Sequence, residues 1–289
     1  MKPTLIIFTL AVLFLSCNKN SNEPRNTTMS DRLNFKSGYS AVNGLTMYYE
    51  IYGQGKPLVL IHGAGSTIQT SFGRIIPQLA KHRQVIGVEL QAHGHTNDRD
   101  TDLSFEQDAD DVATLLQNLQ VAKADVFGFS NGGNTTMQLA LSHPNLVDKI
   151  IVGSAFYKRS GVYPQFWDFM NQATLADMPQ EYKDTYVQVA PRPANLQSMH
   201  DKCVKRMLDF KDRSDDQLKS IQAQTLLIIG DVDIVRPEHA AEMYRLIPHC
   251  QLAIIPGGHG KYMGEITTLK DNDSVFIVPM IEEFLDGKK

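Results

Sequence analysis

FGFSNGGNTTMQLA, residues 127–140, sets one serine among three glycines. A short apolar run, DVFGFS from Asp125, leads into Ser130, and a helix-like stretch follows it. The chain must therefore turn sharply from a strand into a helix at Ser130. In so tight a turn the residues two before and two after the serine crowd one another, and both must lack side chains. Gly128 and Gly132 meet that demand, and Gly133 lets the helix approach the neighbouring strand. The turn pushes the Ser130 hydroxyl out above the sheet, with the next backbone N–H pointing into the same space.

The rest of the chain supplies the elements that such a turn needs. Around Asn43-Gly44, apolar and aromatic residues alternate through Tyr39, Ala41, Leu45, Met47, Tyr49 and Ile51, which predicts a hairpin with a type I′ turn. Short continuous apolar runs follow: LVLIHG from Leu58, VIGVEL from Val85, DVFGFS and KIIVGS from Lys149. Runs this short without alternation fit strands buried on both faces of a parallel sheet. Ser104 to Leu119 reads as a helix, with Ser104 and Gln107 spaced as a capping box and Val112, Leu115, Leu116 and Leu119 at helical spacing. The alternation stops near Phe156 and resumes near Ile221; the intervening segment, rich in Tyr, Phe, Met and Pro, reads as a helical lid insertion. TLLIIG from Thr225, a helix from Pro237 to Leu246, LAIIPG from Leu252 and a helix over about 275–285 complete the pattern. The expected fold is α/β with a doubly wound, mostly parallel sheet. Residues 36–155 and 221–289 form its core, and 156–220 the lid.

Composition narrows the function. A chain of 289 residues with 42% hydrophobic content can bury one large core. The net charge is −4 and no Lys/Arg stripe stands out, so nucleic acid is not an expected partner.

The first seventeen residues, MKPTLIIFTLAVLFLSC, carry a positive Lys2, an apolar run from Leu5 to Leu15, small Ser16 and then Cys17. The run is shorter than the about 20 apolar residues of a membrane span and has the layout of a secretory signal peptide. A small residue before a cysteine resembles the bacterial lipoprotein cleavage box. That resemblance implies acylation of Cys17 as the new N-terminus and a lipid anchor in the cell envelope, at the outer membrane, with a secreted or periplasmic protein as the alternative. The membrane is then a partner through the anchor alone, and residues 18–35, polar from Asn18 to Asp31, are expected to form a disordered tether. Cys203 and Cys250 remain, and both are read as free thiols.

A serine hydroxyl is a poor nucleophile until a base takes its proton, and that base works best when a carboxylate orients it. Nine histidines compete for the role. His259, in PGGHG after the last strand, stands where a loop can return over the sheet to Ser130, and the GDVD loop after the preceding strand offers Asp231 and Asp233. The order along the chain is Ser, Asp, His.

That order, with HGAG at His62–Gly65, ELQAHGHT at Glu89–Thr96, GFSNGG, GDVDIVRPEHA and PGGHG, resembles the α/β-hydrolase fold family from about residue 36 to 287. ELQAHGHT departs from the family's D-x-x-G-x-G-x-S pattern at Ala92. The resemblance implies a triad of Ser130, Asp233 and His259, preferring Asp233 to Asp231. It also implies an oxyanion hole from the N–H groups of Ala64 and Asn131, and a bracing role for His62. The implied activity is acyl transfer to water on a small carboxylic ester with an apolar part, a carboxylesterase-type reaction that needs no metal and no cofactor. Amide or peptide cleavage, carbon–carbon hydrolysis and cofactor-free perhydrolysis use the same triad. From another class, a surface lipoprotein that binds a ligand without catalysis is the alternative.

His93, His95 and Asp98 approximate a zinc-binding H-x-H-x-D-H pattern, but the aspartate comes one place late and Arg99 follows it, so no metal is expected. His239 reads as a surface residue on its helix. In the lid, Phe156, Tyr157 and Trp167 are the candidate substrate-pocket residues.

Overall fold

Asn43 and Gly44 adopt φ of 44° and 80°, the positive values that a type I′ turn demands of both central residues. They join β1 (Phe35–Val42) to β2 (Leu45–Tyr52) as an antiparallel hairpin. The computed structural model describes residues 34–268 and 275–287. The expected signal peptide, Cys17 and the tether up to residue 33 lie outside the described residues. Phe35, placed in the tether by its sequence context, instead pairs with Tyr52, because the strand continues to the end of its partner.

β3 (Lys56–Ile61), β4 (Arg83–Val88), β5 (Ala124–Phe129), β6 (Val147–Gly153), β7 (Gln224–Gly230) and β8 (Cys250–Ile255) complete an eight-stranded sheet of order β1-β2-β4-β3-β5-β6-β7-β8. All pairings from β4 to β8 are parallel, and the β2–β4 pairing is antiparallel. Within β3, Val59 and Ile61 face one layer while Leu58 and Leu60 face the other. Two such layers explain the unbroken apolar runs. One layer packs under α3 (Phe105–Asn118), α4 (Asn131–Ser142) and α9 (Pro237–Leu246). The other packs under α1 (Ile68–Phe72), α2 (Ile76–Leu79) and α10 (Ile277–Asp286).

Between β6 and β7 the chain leaves the sheet for α5 (Pro164–Met170), α6 (Gln180–Val189), α7 (Leu196–Leu208) and α8 (Asp215–Lys219). A buried ion pair between Arg206 on α7 and Asp108 on α3, 2.6 Å apart, ties these helices to the core. At the start of α3, Ser104 accepts the Gln107 N–H as expected of an N-cap. The reciprocal half of the expected box is replaced, since the Gln107 amide donates to Asp111 on the next turn. Cys203 and Cys250 are both free thiols. Among the described residues no helix is long and apolar enough to cross a membrane.

The approach of α4 to β3 positions everything that follows. A Cβ on Gly132 would lie 2.0 Å from the Ile61 carbonyl oxygen, and one on Gly128 would lie 2.0 Å from that of Gly132. Gly132→Ala is therefore expected to lower the unfolding free energy by about 3 kcal/mol, the upper range for overpacking. Urea denaturation checks this, and a loss under 1 kcal/mol would show that the backbones can separate.

Candidate active site

Ser130 sits between β5 and α4 with φ 55° and ψ −118°, a conformation that costs on the order of 1–3 kcal/mol for a residue with a side chain. The surrounding backbone holds it there. Its N–H donates to the Gly153 carbonyl at 2.7 Å, and its own carbonyl accepts the Asn134 N–H at 3.1 Å. Ser130 lines a cavity of about 390 Å³ that Ala64, Asn131 and His259 also line. Asn131 is the first residue of α4, so its N–H has no acceptor within the helix.

The loops after β7 and β8 bring the acid and the imidazole together. His259 Nδ1 lies 2.7 Å from Asp233 Oδ1. A carboxylate there sets Nδ1 as the protonated nitrogen and leaves the Nε2 lone pair free. Asp233 is 4% exposed, and its carboxylate also accepts from the Ser154 hydroxyl at 2.5 Å and the Gly230 N–H at 3.1 Å. Burial pushes this carboxyl up, but the facing imidazole and these donors outweigh it and hold the group below the usual carboxylate range. Asp231 does something else: it accepts the Gly257 N–H at 2.7 Å and so braces the loop that carries His259. The His259 ring rests against Phe129, centroids 4.8 Å apart. Ser154, itself at φ 51°, escaped the sequence reading. Its signal was its place at the carboxyl end of a strand in KIIVGS.

His62 is fully buried, donates from Nδ1 to the Gly63 carbonyl at 2.7 Å and accepts the Leu90 N–H on Nε2 at 3.0 Å. The HGAG turn thus hangs on the ring. His93 turns inward while His95 donates from Nδ1 to Glu89 at 2.9 Å and Asp98 pairs with Lys202. Among the described residues no cluster of three His, Cys, Asp or Glu side chains can hold a metal ion.

Of the three candidate pocket residues, Phe156 lines the cavity. Tyr157 and Trp167 do not. The Tyr157 ring stacks on His239 with centroids 4.8 Å apart and sends its hydroxyl to Glu242 at 2.7 Å. Trp167 donates to the Arg159 carbonyl at 2.9 Å, with the Arg159 guanidinium 3.7 Å from its ring centroid. His239, expected at the surface, is 2% exposed because Tyr157 and Gly161 cover it. The cavity roof comes instead from Phe166, Phe169, Met170, Met178, Met199 and Met207. Helical spacing alone does not reveal which of these faces inward.

A family model described as alpha/beta hydrolase fold matches residues 56–202. The chain belongs to the α/β-hydrolase fold family. An uncharacterized protein of Mycobacterium tuberculosis is 32% identical over 117 residues, 40% of this chain and 34% of that protein, so the chain spans about a third of this relative's length. The human serine hydrolase BPHL is 26% identical over 251 residues, covering 80% of this chain and 84% of its own. Among solved structures, the 2-hydroxy-6-oxo-6-phenylhexa-2,4-dienoate hydrolase of Rhodococcus sp. strain RHA1 superposes with a TM-score of 0.73 at 18% identity, over 88% of this chain and 99% of that one. Hydrolases are thus among the proteins of this fold that the chain is similar to.

Burial pushes the His62 imidazole down to about 4, helped by the nearby Arg206 charge. The unfolded chain takes up a proton near pH 6.5 that the folded protein refuses until about pH 4. Stability from this group is therefore complete above pH 6.5 and falls as the pH drops through that window, by on the order of 3 kcal/mol. Urea unfolding at pH 7 and pH 4.5 should show the loss, and the His62 ring resonances of the native protein should stay those of a neutral imidazole down to about pH 5. A ring that protonates near pH 6.5 in the native state would contradict this.

Proposed function

We propose that this protein is a serine hydrolase that cleaves neutral carboxylic esters carrying an apolar acyl or alkyl group. The observation that carries the reading is that Ser130 and His259, the latter bonded to Asp233, line one cavity with no Lys or Arg among its lining residues. His259 Nε2 takes the Ser130 proton as Oγ bonds to the ester carbonyl carbon. The negative oxygen that forms is received by the N–H groups of Ala64 and Asn131, each such donor being worth about 3 kcal/mol in the transition state. The tetrahedral species collapses, the C–O bond to the alcohol breaks, and His259 gives its proton to the departing oxygen. Water then attacks the acyl-Ser130 with the same proton transfers, releasing the acid.

Carbon–carbon hydrolysis by the same triad is the second reading, favoured by the likeness to the dienoate hydrolase. A dienoate carries a carboxylate, and a buried carboxylate needs a cation or several donors. The carboxylate among the lining residues here is that of Asp177, and Arg206, on the lining helix α7 but not itself in the lining, gives its Nη1 to Asp108. An anionic substrate would meet like charge, which supports the ester reading.

The protein should label at Ser130 with a fluorophosphonate and hydrolyse p-nitrophenyl butyrate, with Ser130→Ala losing at least roughly 10³-fold in kcat. An ester of the same length ending in a carboxylate should be at least about tenfold poorer in kcat/KM. Folded protein that neither labels nor turns over any ester would overturn the reading, and preferential cleavage of a dienoate would replace it with the second. Asp233→Asn should lower kcat by roughly 10³–10⁴-fold, because the imidazole loses the charge that orients it. Asp231→Asn should cost less than about tenfold, because it loosens a loop only. The opposite ranking would reassign the acid.

Location is a separate proposal, resting on residues 1–17 alone. Acylated Cys17 would carry the protein into the detergent phase of a Triton X-114 separation, and Cys17→Ser would remain in the aqueous phase. A wild type whose intact mass lacks acyl chains would remove the anchor.

A further inference from the structure

His93 contributes nothing to the triad, yet it is 1% exposed and both of its ring nitrogens are engaged. Nδ1 donates to the Gln91 carbonyl at 2.8 Å, and Nε2 accepts the Gly65 N–H at 3.0 Å. A backbone amide can only donate, so the tautomer is determined: the proton is on Nδ1 and the lone pair on Nε2. Behind that lone pair stands the Cys203 thiol of α7, its sulfur 3.3 Å away. Its ring also leans on that of His62, centroids 4.9 Å apart.

Two peptide planes meet at Ala64. The Gly63–Ala64 plane carries the Gly63 oxygen on one edge and the Ala64 N–H on the opposite edge. His62 holds that oxygen, which aims the Ala64 N–H the other way. The next plane carries the Gly65 N–H, and His93 holds it. The turn between them is soft on its own. Gly65 sits at φ +67° with no side chain to restrain it, and the Ser66 N–H reaches the Gly63 carbonyl only at 3.4 Å. With one plane released, rotation about Ala64 would swing the other.

We propose that His93 is a positioning residue of the proposed esterase reaction: by accepting the Gly65 N–H it fixes the turn that aims the Ala64 N–H at the oxyanion. The role rests on the serine-hydrolase reading of the site. It also makes α7 a support of the turn, because its Cys203 thiol stands against the same nitrogen that takes the Gly65 N–H. Two other uses of this pair fail on the same geometry. A metal would need the Nε2 lone pair that Gly65 occupies. A second nucleophile would need a thiolate paired with an imidazolium, whereas burial pushes the Cys203 thiol up and the His93 ring well down, keeping both neutral.

The test combines kinetics with a direct reading of the bond. His93→Phe keeps a ring of similar size and removes the acceptor. It should lower kcat on p-nitrophenyl butyrate about 10- to 100-fold, a fraction of what a lost oxyanion donor costs, with KM within about threefold. The Gly65 amide should exchange with solvent at least about tenfold faster. His93→Gln, which returns an acceptor oxygen, should recover part of kcat; a purely structural role would move KM and melting temperature together without that recovery. In the wild type, a scalar coupling between Gly65 ¹⁵N and His93 ¹⁵Nε2 reads the bond without any variant, so poor folding of His93→Phe does not block the test. Absence of the coupling, or a folded His93→Phe with unchanged kcat, would overturn the inference while Ser130 labelling and ester turnover still stood. A wild type without hydrolase activity would instead remove the reading that His93 serves.

Discussion

The first turn of α4 lies against the end of β3 at a distance that only backbone can occupy, since a Cβ on Gly132 would come within 2.0 Å of the Ile61 oxygen. This contact brings the strand-to-helix turn of Ser130 up to the HGAG turn that continues β3. Gly133 repeats the device on the other side, where a Cβ would lie 2.7 Å from that of Ala155 just past β6. The strained backbone of Ser130 persists because its neighbours over-determine it: glycines before and after, and a hydrogen bond to Gly153 across the sheet. A serine on an ordinary helix start would point along the surface instead of into the cavity.

The second half of the site comes from the other side of the sheet's carboxyl edge. Ser154 directly follows β6, and the loop after β7 brings Asp233 to its hydroxyl. Withdrawing a carboxylate from water is unfavourable by several kcal/mol unless donors replace the solvent. Here a hydroxyl, a backbone N–H and an imidazole N–H do so, and charge-assisted bonds of about 1.5–3 kcal/mol each are enough to keep the group ionised. The fixed carboxylate in turn fixes the ring of His259, so the imidazole reaches the cavity already oriented. The proposed chemistry thus rests on strand ends, while the inserted helices supply the apolar roof, the Asp177 carboxylate and the Cys203 contact to His93.

Much of this was legible in the chain. The two-faced burial of β3 through β7 followed from unbroken apolar runs, the hairpin from Asn43-Gly44, and the site from a serine between glycines with an aspartate and a histidine later in order. Each of these is a local demand: a turn that tolerates no Cβ, a φ above zero, a period of two or its absence. Such demands act on neighbours in sequence, so they leave a mark in sequence.

Other features depend on residues far apart in the chain. Phe156 faces the cavity while Tyr157 and Trp167 turn to His239 and Arg159, because the rotation of each inserted helix is decided by what it packs on, not by its own composition. Asp231 and Asp233 look alike in GDVD; only the folded loop gives one to Gly257 and the other to His259. His93 read as half of a failed metal motif until Gly65 arrived against its lone pair. The sequence by itself determined the sheet, the elbow and the chemical groups at its carboxyl edge, since steric and hydrophobic periodicity are properties of neighbouring residues. The tertiary structure alone decided which groups touch, since a hydrogen bond between distant residues exists only once both backbones have been placed.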